Sequence, residues 1–376
     1  MFSEKINLLK QKNLSRHIDD RESPQGPRIM IQGREFLHFS SNDYLGLANH
    51  PSIIDKANES MSRYGFGAGA SRLLSGGSIL HHQLEEKIAQ VKNTEAALVF
   101  NSGYAANTGT IPALADGDTV LFSDELNHAS IIDGCRLSRA ETIIYTHRDM
   151  THLEDCLKNT AAKKRIVITD TIFSMDGDIA PLPEIVRLCK THSAHLYIDD
   201  AHATGVIGKG KGGLSHFAIS PEPWIIQMGT FSKALGSFGA FVAGSAEIIE
   251  WAVNSARSFM YSTALPACVV AASIAALELI ENNPRIIDQL WTNRDKAAQG
   301  ILAAGYDIMG SESPIIPIRT GSIQNTLRIA KHLFEQGILA PAVRPPTVKE
   351  PRIRITVTAA HTDQDIVRLI EALKGM

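Results

Sequence analysis

Between residues 95 and 244, short apolar runs rich in β-branched residues alternate with segments that have helical spacing. The runs cover residues 96–100, 119–122, 143–145, 165–171, 195–199, 224–228 and 240–243. Alternation of strands and helices favours crossover connections, and these lead to a mostly parallel sheet covered by helices. The sequence therefore predicts an α/β fold with such a sheet for this part of the chain.

The segments on either side have different patterns. The first 20 residues predict a helical arm, and Gln32-Gly33 marks the turn of a small hairpin. The last 90 residues alternate helical segments with a few short apolar runs, which is typical of a smaller α+β domain. We therefore expect an arm and hairpin over residues 1–45, a large α/β domain over 46–284 and a C-terminal α+β domain over 285–376.

Composition excludes several classes of protein. The 376 residues include 37 Lys and Arg and 40 Asp and Glu, so the net charge of -3 argues against a general polyanion binder and against an acidic disordered chain. The four cysteines form no CxxC pair, so neither a zinc ribbon nor a disulfide scaffold is predicted. The N-terminal segment lacks a signal-like apolar core, and we expect a cytoplasmic protein without a metal.

Polar residues follow several of the predicted strands. Ligands of open α/β sheets bind at the carboxyl ends of the strands, so these residues are the first candidates for a site. Gly103 and Tyr104 open a helix and offer free N–H groups to an anion, although a plain turn has the same pattern. His128 begins another helical segment. Asp199 ends the apolar run LYI, and His202 follows it closely, so the carboxylate is expected to be partly buried.

Lys233 stands among small and apolar residues after the run 224–228, with hydroxyls at Thr230 and Ser232. Desolvation makes a lysine amine nucleophilic. An anion site, an imidazole, a buried aspartate and such a lysine, in this order, suit pyridoxal phosphate. The lysine forms a Schiff base with the aldehyde, and the aspartate keeps the pyridine nitrogen protonated. Each of these residues alone is a modest indication. Their joint occurrence in this order is a strong indication of a pyridoxal-phosphate site.

At this point the chain resembles a known family almost from end to end. The stretches that carry the resemblance are SSNDYLGL, GAGASRLLSGGS, NSGYAAN, NHAS, FSMDGDIAPL, DDAHATGVIG, GTFSKALGSFGAFVAG, YSTALP, RPPTV and RIRITVTAAHT. They are similar to the α-oxoamine synthases, which belong to the fold-type I pyridoxal-phosphate enzymes. The resemblance implies a PLP-dependent transferase fold and an acyltransferase activity.

The resemblance also implies roles for individual residues around the cofactor ring. Lys233 matches the Schiff-base lysine, Asp199 the partner of the pyridine nitrogen, and His128 the ring-stacking histidine that also helps substrate chemistry. Ser174 and His202 match the groups that bond the phenolic oxygen of the cofactor.

Further matches concern the phosphate. Gly103 and Tyr104 match its backbone donors, and Thr230 adds a hydroxyl. Ser262 and Thr263 match a phosphate contact from a neighbouring subunit, which implies a homodimer with shared active sites.

The substrate contacts are matched less closely. Arg354 matches the arginine that grips the amino-acid carboxylate, and Thr347 a contact near the acyl entrance. The family member with the most similar C-terminal stretches has an arginine-rich N-terminal arm, whereas this chain has Arg16, with Arg21 as a rival.

The stretches RPPTV and RIRITVTAAHT are most similar to the family member that joins L-alanine to a pimeloyl thioester in biotin biosynthesis. The carrier of the pimeloyl group, coenzyme A or an acyl carrier protein, stays open. An alternative is another α-oxoamine synthase that uses glycine or serine, and a more distant one is an aminotransferase.

Two glycine-rich runs raise the alternative of a nucleotide-binding protein. Residues 65–69 follow a helix rather than a strand and lack the spacing of the dinucleotide fingerprint. Residues 208–213 lack the Lys-Ser/Thr pair of a phosphate loop. Both are interpreted as turns. A non-catalytic protein on the same fold is the last alternative, and the presence of Lys233 and Asp199 argues against it.

Overall fold

The computed structural model describes residues 2–376, which form two compact units. One unit contains the described residues up to Asn49 together with Met175–Asp178 and Asp288–Met376. The other contains His50–Ser174 and Ile179–Ile287. The three segments predicted from the sequence are a different division of the chain, and they stay a prediction.

The elements have the following bounds. The strands are β1 (Arg28–Ile31), β2 (Arg34–His38), β3 (Ala96–Phe100), β4 (Thr119–Asp124), β5 (Glu141–Tyr145), β6 (Lys164–Asp170), β7 (His195–Asp199), β8 (Ile225–Thr230), β9 (Ala240–Gly244), β10 (Ile315–Arg319), β11 (Ile338–Leu339), β12 (Ala342–Val343) and β13 (Arg352–Thr356). The helices are α1 (Phe2–Gln11), α2 (Pro51–Tyr64), α3 (Ile79–Lys92), α4 (Gly103–Leu114), α5 (Ala129–Ser138), α6 (Met150–Asn159), α7 (Leu182–Thr191), α8 (Gly213–His216), α9 (Ala246–Ser255), α10 (Arg257–Met260), α11 (Ala267–Asn282), α12 (Arg285–Ala303), α13 (Ile323–Glu335) and α14 (Asp363–Lys374).

A seven-stranded sheet in the order β3-β9-β8-β7-β6-β4-β5 forms the centre of the unit that contains His50–Ser174. Neighbouring strands from β8 to β5 are parallel, whereas β9 runs antiparallel to both β3 and β8. The predicted α/β fold with a mostly parallel sheet is therefore confirmed. Because six of the strands point the same way, β3, β4, β6, β7 and β8 bring their carboxyl ends to one edge.

Both faces of this sheet are buried, which explains why its strands are apolar along their whole length. One face packs with α4, α5 and α9, for example through Ile111, Ile131 and Ala252. The other face packs with α6 and α7 through residues such as Leu153 and Leu188. A fully buried leucine stabilises the fold by about 1.5–3 kcal/mol relative to an exposed one. These two layers of side chains hold the carboxyl edge of the sheet in place.

The other unit contains two three-stranded sheets, in the orders β1-β2-β11 and β10-β13-β12. Its core combines both sheets with α12, α13 and α14, through residues such as Leu37, Ile301, Leu333, Ile353 and Leu369. The predicted hairpin at Gln32-Gly33 is present, and both turn residues have positive φ angles. The parallel pairing of β11 with β2 was not predicted.

The N-terminal helix is shorter than the sequence suggested. We expected a helical arm over the first 20 residues, but α1 ends at Gln11, so the prediction is wrong beyond that point. Asn13 has a φ of +56°, a left-handed conformation that stops a helix. No helix within residues 2–376 is long and apolar enough to cross a membrane. The same residues hold no group of three or more His, Cys, Asp or Glu side chains suited to a metal ion.

Candidate active site

A cavity of about 180 Å³ lies at the carboxyl edge of the seven-stranded sheet. Seven residues predicted from the sequence line it, namely Gly103, Tyr104, His128, Asp199, His202, Thr230 and Lys233. Ser232, whose hydroxyl was expected near Lys233, also lines it. Four further residues line it that had no predicted role, namely Ser130, Asp170, Ala201 and Met228. The structure therefore brings together the residues expected to meet the cofactor ring and its phosphate, except those discussed below.

The first turn of α4 forms the anion-binding side of the cavity. Ser102 is the N-cap, and its Oγ accepts the N–H of Ala105 at 3.1 Å. The first N–H groups of a helix have no acceptor within the helix, so those of Gly103 and Tyr104 are available to a ligand. Helix N-termini also carry a partial positive charge. This turn is suited to a phosphate group.

Asp199 ends β7 and is only 2% exposed. Its Oδ2 accepts the side-chain N–H of Asn107 and its Oδ1 the backbone N–H of Ala201, both at 2.8 Å. The Tyr197 hydroxyl donates to Asn107 Oδ1 at 2.9 Å, which fixes the amide with its NH₂ group toward Asp199. The carboxylate is thus held in one orientation. Sequence reasoning missed Asn107, because a polar residue inside a helix gives no signal until its tertiary partner is known.

Asp170 ends β6 and pairs in register with Asp199. Its Oδ2 accepts the backbone N–H of His128 at 2.7 Å. Burial, and then the negative charge of Asp199, hold the pKa of Asp170 well above its usual range. Both effects favour the protonated, uncharged form of Asp170. Its position after the apolar run IVIT is the same signal that identified Asp199, so the sequence could have revealed it.

His128 is the N-cap of α5 and lines the cavity. Its Nδ1 accepts the N–H of Ser130 at 3.3 Å and lies 2.7 Å from Ser130 Oγ, which places the ring proton on Nε2. Burial lowers the pKa of His128, the charge of Asp199 opposes that shift, and the charge of Lys233 adds to it. The imidazole is therefore neutral at neutral pH and presents a flat, uncharged surface.

Lys233 lies in the loop after β8 and lines the cavity. Thr230, the last residue of β8, donates its hydroxyl to Gly239 O at 2.7 Å and lies 2.7 Å from the Ser232 hydroxyl. The hydrogen bond to Gly239 thus joins the two ends of the loop that carries Lys233. Ser232 adds a second hydroxyl to the cavity wall.

Three predicted cofactor residues of the same unit do not line this cavity. They are Ser174, Ser262 and Thr263. Ser262 borders a separate, very small cavity, and Thr263 O accepts the side-chain N–H of Asn101 at 2.7 Å. Thr263 also pairs with Ser71.

The predicted substrate residues belong to the other unit. Arg354 on β13 is 5% exposed, and its guanidinium donates to Thr356 Oγ1 at 2.8 Å and Asn42 Oδ1 at 3.1 Å. Burial raises the pKa of its neighbour Tyr44 to about 12, against the lowering effect of the Arg354 charge. Asn42 and Tyr44 belong to the stretch SSNDYLGL, which therefore supports the arginine.

Two of the residues expected near the acyl chain touch each other. Arg16 Nη2 donates to Thr347 Oγ1 at 2.8 Å. Arg344 reinforces this contact, because it donates to Asn13 O at 2.8 Å and Ser15 O at 2.7 Å. Arg21, the rival of Arg16, donates instead to Ser23 O.

Comparison with known proteins gives a consistent result. A family model described as aminotransferase class I and II matches residues 34–373. The 8-amino-7-oxononanoate synthase of Thermoanaerobacter pseudethanolicus is 46% identical to this chain over 99% of it and 95% of its own length. A protein of Thermodesulfovibrio yellowstonii that bears the same name provisionally is 51% identical over 99% of this chain and 96% of its own.

A solved structure with a similar fold contains a bound ligand. It is a serine palmitoyltransferase variant from S. paucimobilis with bound PLP and myriocin. Its TM-score is 0.94 at 26% identity, with 100% of this chain and 96% of that chain covered.

Proposed function

Because the chain belongs to the class I and II aminotransferase family and, within it, to the 8-amino-7-oxononanoate synthases, we propose that it joins L-alanine to a pimeloyl thioester. The products are 8-amino-7-oxononanoate, CO₂ and the free carrier, and the step belongs to biotin biosynthesis. The observation that carries this proposal is the cavity in which Lys233, Asp199 and His128 meet the first turn of α4.

The residues of the cavity fit pyridoxal phosphate, the cofactor of this family. That molecule has an aldehyde, a pyridine nitrogen and a phosphate, and it therefore requires an amine, a carboxylate and an anion site. Lys233, the buried and doubly hydrogen-bonded Asp199, and the N–H groups that open α4 meet these requirements. When bound, the cofactor supplies an electron sink for the charge that develops at the amino-acid Cα.

The side chains of the cavity then have separate tasks. Lys233 Nζ removes the proton from the Cα of L-alanine and later returns a proton to the product. Asp199 holds a proton at the pyridine nitrogen, because its carboxylate is fixed by two N–H donors. His128, uncharged and flat, covers one ring face. His202 and Ser174 are proposed to bond the phenolic oxygen.

Substrate binding is proposed for residues of the other unit. Arg354 offers a planar guanidinium that can bind the alanine carboxylate through two parallel hydrogen bonds. Thr356 and Asn42, which accept hydrogen bonds from this guanidinium, are both neutral side chains. Arg16 and Thr347 are proposed to act together near the acyl chain, since they are hydrogen-bonded to each other.

The working form is proposed to be a homodimer in which Ser262 and Thr263 reach the phosphate held by the partner. Exposed apolar side chains support this, notably Leu74 at 81% and Tyr261 at 69%. The segments that carry them are adjacent, because Ala264 N–H donates to Ala70 O at 2.9 Å. Exposed apolar surface of this kind is typical of an interface.

The test is a product assay with the purified protein and pyridoxal phosphate. L-alanine, glycine and L-serine are each supplied with pimeloyl-coenzyme A or a pimeloyl carrier protein, and products are identified by mass spectrometry. We expect 8-amino-7-oxononanoate when L-alanine is the amino acid, and no condensation product with glycine or L-serine. A product from glycine or serine instead would keep the family and contradict the substrate.

The matched variants are Lys233→Ala and Lys163→Ala, the second on an exposed lysine outside the cavity. We expect Lys233→Ala to abolish turnover, because no other amine lines the cavity among the described residues. Lys163→Ala should leave turnover unchanged. Turnover retained in Lys233→Ala would refute the proposed base.

A further inference from the structure

A buried lysine outside the cavity is tied to the strand end that carries Asp199. Lys92 is the last residue of α3, and its side chain is fully buried. Its Nζ donates to Asp200 Oδ2 at 2.7 Å, to Thr204 Oγ1 at 3.0 Å and to Lys211 O at 2.8 Å. None of these partners lines the cavity. All three donors of the ammonium group are therefore used on one loop.

Asp200 connects this lysine to the rest of the sheet edge. It follows Asp199 directly, and its backbone N–H donates to Met228 O at 2.7 Å. Its Oδ1 accepts the hydroxyl of Thr171, beyond the end of β6, and the N–H of Gly213 at 3.2 Å. The carboxylate of Asp200 thus joins β6, β7 and the loop before α8.

Close packing makes this arrangement specific. A Cβ added at Gly212 would lie 2.1 Å from Asp200 Oδ2 and 2.6 Å from Lys92 Nζ. Gly212 also has a φ of +102°, which favours glycine. The loop therefore passes so near the ion pair that no side chain fits between them.

Stability alone is a poor explanation for this pair. Desolvation of two buried charges offsets most of their attraction, and well-packed apolar residues of the same volume are often as stable. Buried ionic groups can instead specify one arrangement among several. Here the arrangement concerns Asp199 and His202, which flank the Asp200-Ala201 segment and line the cavity.

We propose that Lys92 is a positioning residue, which holds Asp200 and Thr204 so that Asp199 and His202 keep their places around the cofactor. The idea rests on the proposed function, since it assumes that pyridoxal phosphate occupies the cavity. Lys92 acts from behind the site and touches neither cofactor nor substrate.

The test compares Lys92→Met with Lys87→Met. Lys87 lies on the same helix and also forms an ion pair, but its partner is Glu281 rather than Asp200. The apoproteins are titrated with pyridoxal phosphate, and the visible absorption and circular dichroism of the bound cofactor are recorded. We expect Lys92→Met to raise the cofactor Kd about tenfold. It should also shift the cofactor spectrum and lower kcat by about 10- to 100-fold, with less change in KM. Lys87→Met should match the wild type in each respect.

A double variant distinguishes a loss of positioning from a loss of folding. In Lys92→Met with Asp200→Asn the buried charge is removed together with its partner, so the protein should regain most of the lost Tm. The cofactor Kd and spectrum should stay altered, because the tie between Asp200 and Thr204 is still missing. Wild-type cofactor affinity and spectrum in Lys92→Met or in the double variant would overturn the inference. A wild-type protein that binds no pyridoxal phosphate would instead overturn the proposed function.

Discussion

Two carboxyl groups end adjacent strands of the sheet, and their surroundings differ. Asp199 accepts two N–H groups directly at its side chain, from Asn107 and Ala201. Asp170 is buried beside that negative charge, and both effects hold its pKa well above the usual range. The two carboxyl groups are therefore suited to different tasks, with Asp199 oriented by N–H donors and Asp170 favoured in its protonated form.

This difference predicts the behaviour of Asp170→Asn. In the unfolded chain Asp170 loses its proton near pH 4. In the folded protein its pKa is higher, so wild-type stability falls as the pH rises from about 4 toward that higher pKa. Asparagine is neutral throughout and avoids that loss. We expect Asp170→Asn to retain turnover and to be more stable than wild type at neutral pH. The advantage should vanish below about pH 4, as measured by urea unfolding.

Asp199→Asn is the control, because it makes the same chemical change on the next strand. An amide at this position turns an NH₂ group toward Asn107, which is itself a donor there. We expect turnover to fall by about 100-fold or more, with no gain in stability. Equal losses of turnover in both variants would contradict the separation of roles.

At this scale the sequence revealed most of the cavity but not its support. Asp199, His128 and Lys233 could be found because each follows an apolar run that had to be a strand. Asn107 and Lys92 could not be found in this way, because each lies on a helix. Each gains its partner only when distant segments pack together. Supporting residues of this kind have no local pattern.

Among the elements, α4 is the helix whose first turn is proposed to bind the phosphate. We expect Ser102→Ala to cost about 1 kcal/mol of unfolding free energy, because the cap of that turn is lost. It should also weaken pyridoxal-phosphate binding, since the N–H groups of Gly103 and Tyr104 are no longer held in place. Ser322 caps α13 in the other unit in the same way. Ser322→Ala should lower stability similarly and leave the cofactor Kd unchanged, and equal affinity in both variants would contradict the role of α4.

The elements themselves were predicted well where their pattern was regular. Residues 195–199 form β7 as expected, and residues 240–243 belong to β9. The antiparallel direction of β9 was not predicted, because apolar runs carry no sign of direction. The two-residue strand β11 was also not predicted, because so short a run is defined only by its pairing with β2.

At the scale of the whole molecule, the proposed dimer predicts a link between assembly and cofactor binding. We expect light scattering to give the mass of two chains, and Leu74→Glu to give that of one, because a charge replaces an exposed apolar side chain. The monomer should bind pyridoxal phosphate more weakly, since Ser262 and Thr263 of the partner are lost. Leu302→Glu alters an equally apolar exposed residue of the other unit and should remain dimeric. A wild-type monomer with full affinity would contradict the proposal.

The grouping of distant segments was beyond sequence reasoning. Periodicity identifies elements one at a time, whereas the unit that contains Asp288–Met376 also includes the described residues up to Asn49 and the four residues Met175–Asp178. Within that unit Arg352 donates to Met175 O at 3.2 Å and pairs with Asp176. Glu312 N–H donates to Gly177 O at 3.0 Å.

The assignment of Met175–Asp178 to this unit has a consequence for recombination between related genes. A crossover that exchanges only the C-terminal segment between two relatives would take Arg352 and its partner Asp176 from different parents. The backbone fit is equally close, since a Cβ at Gly177 would lie 2.1 Å from Ile315 O. We therefore expect chimeras of two relatives to fold best when these three stretches come from the same parent, although they lie far apart in the gene.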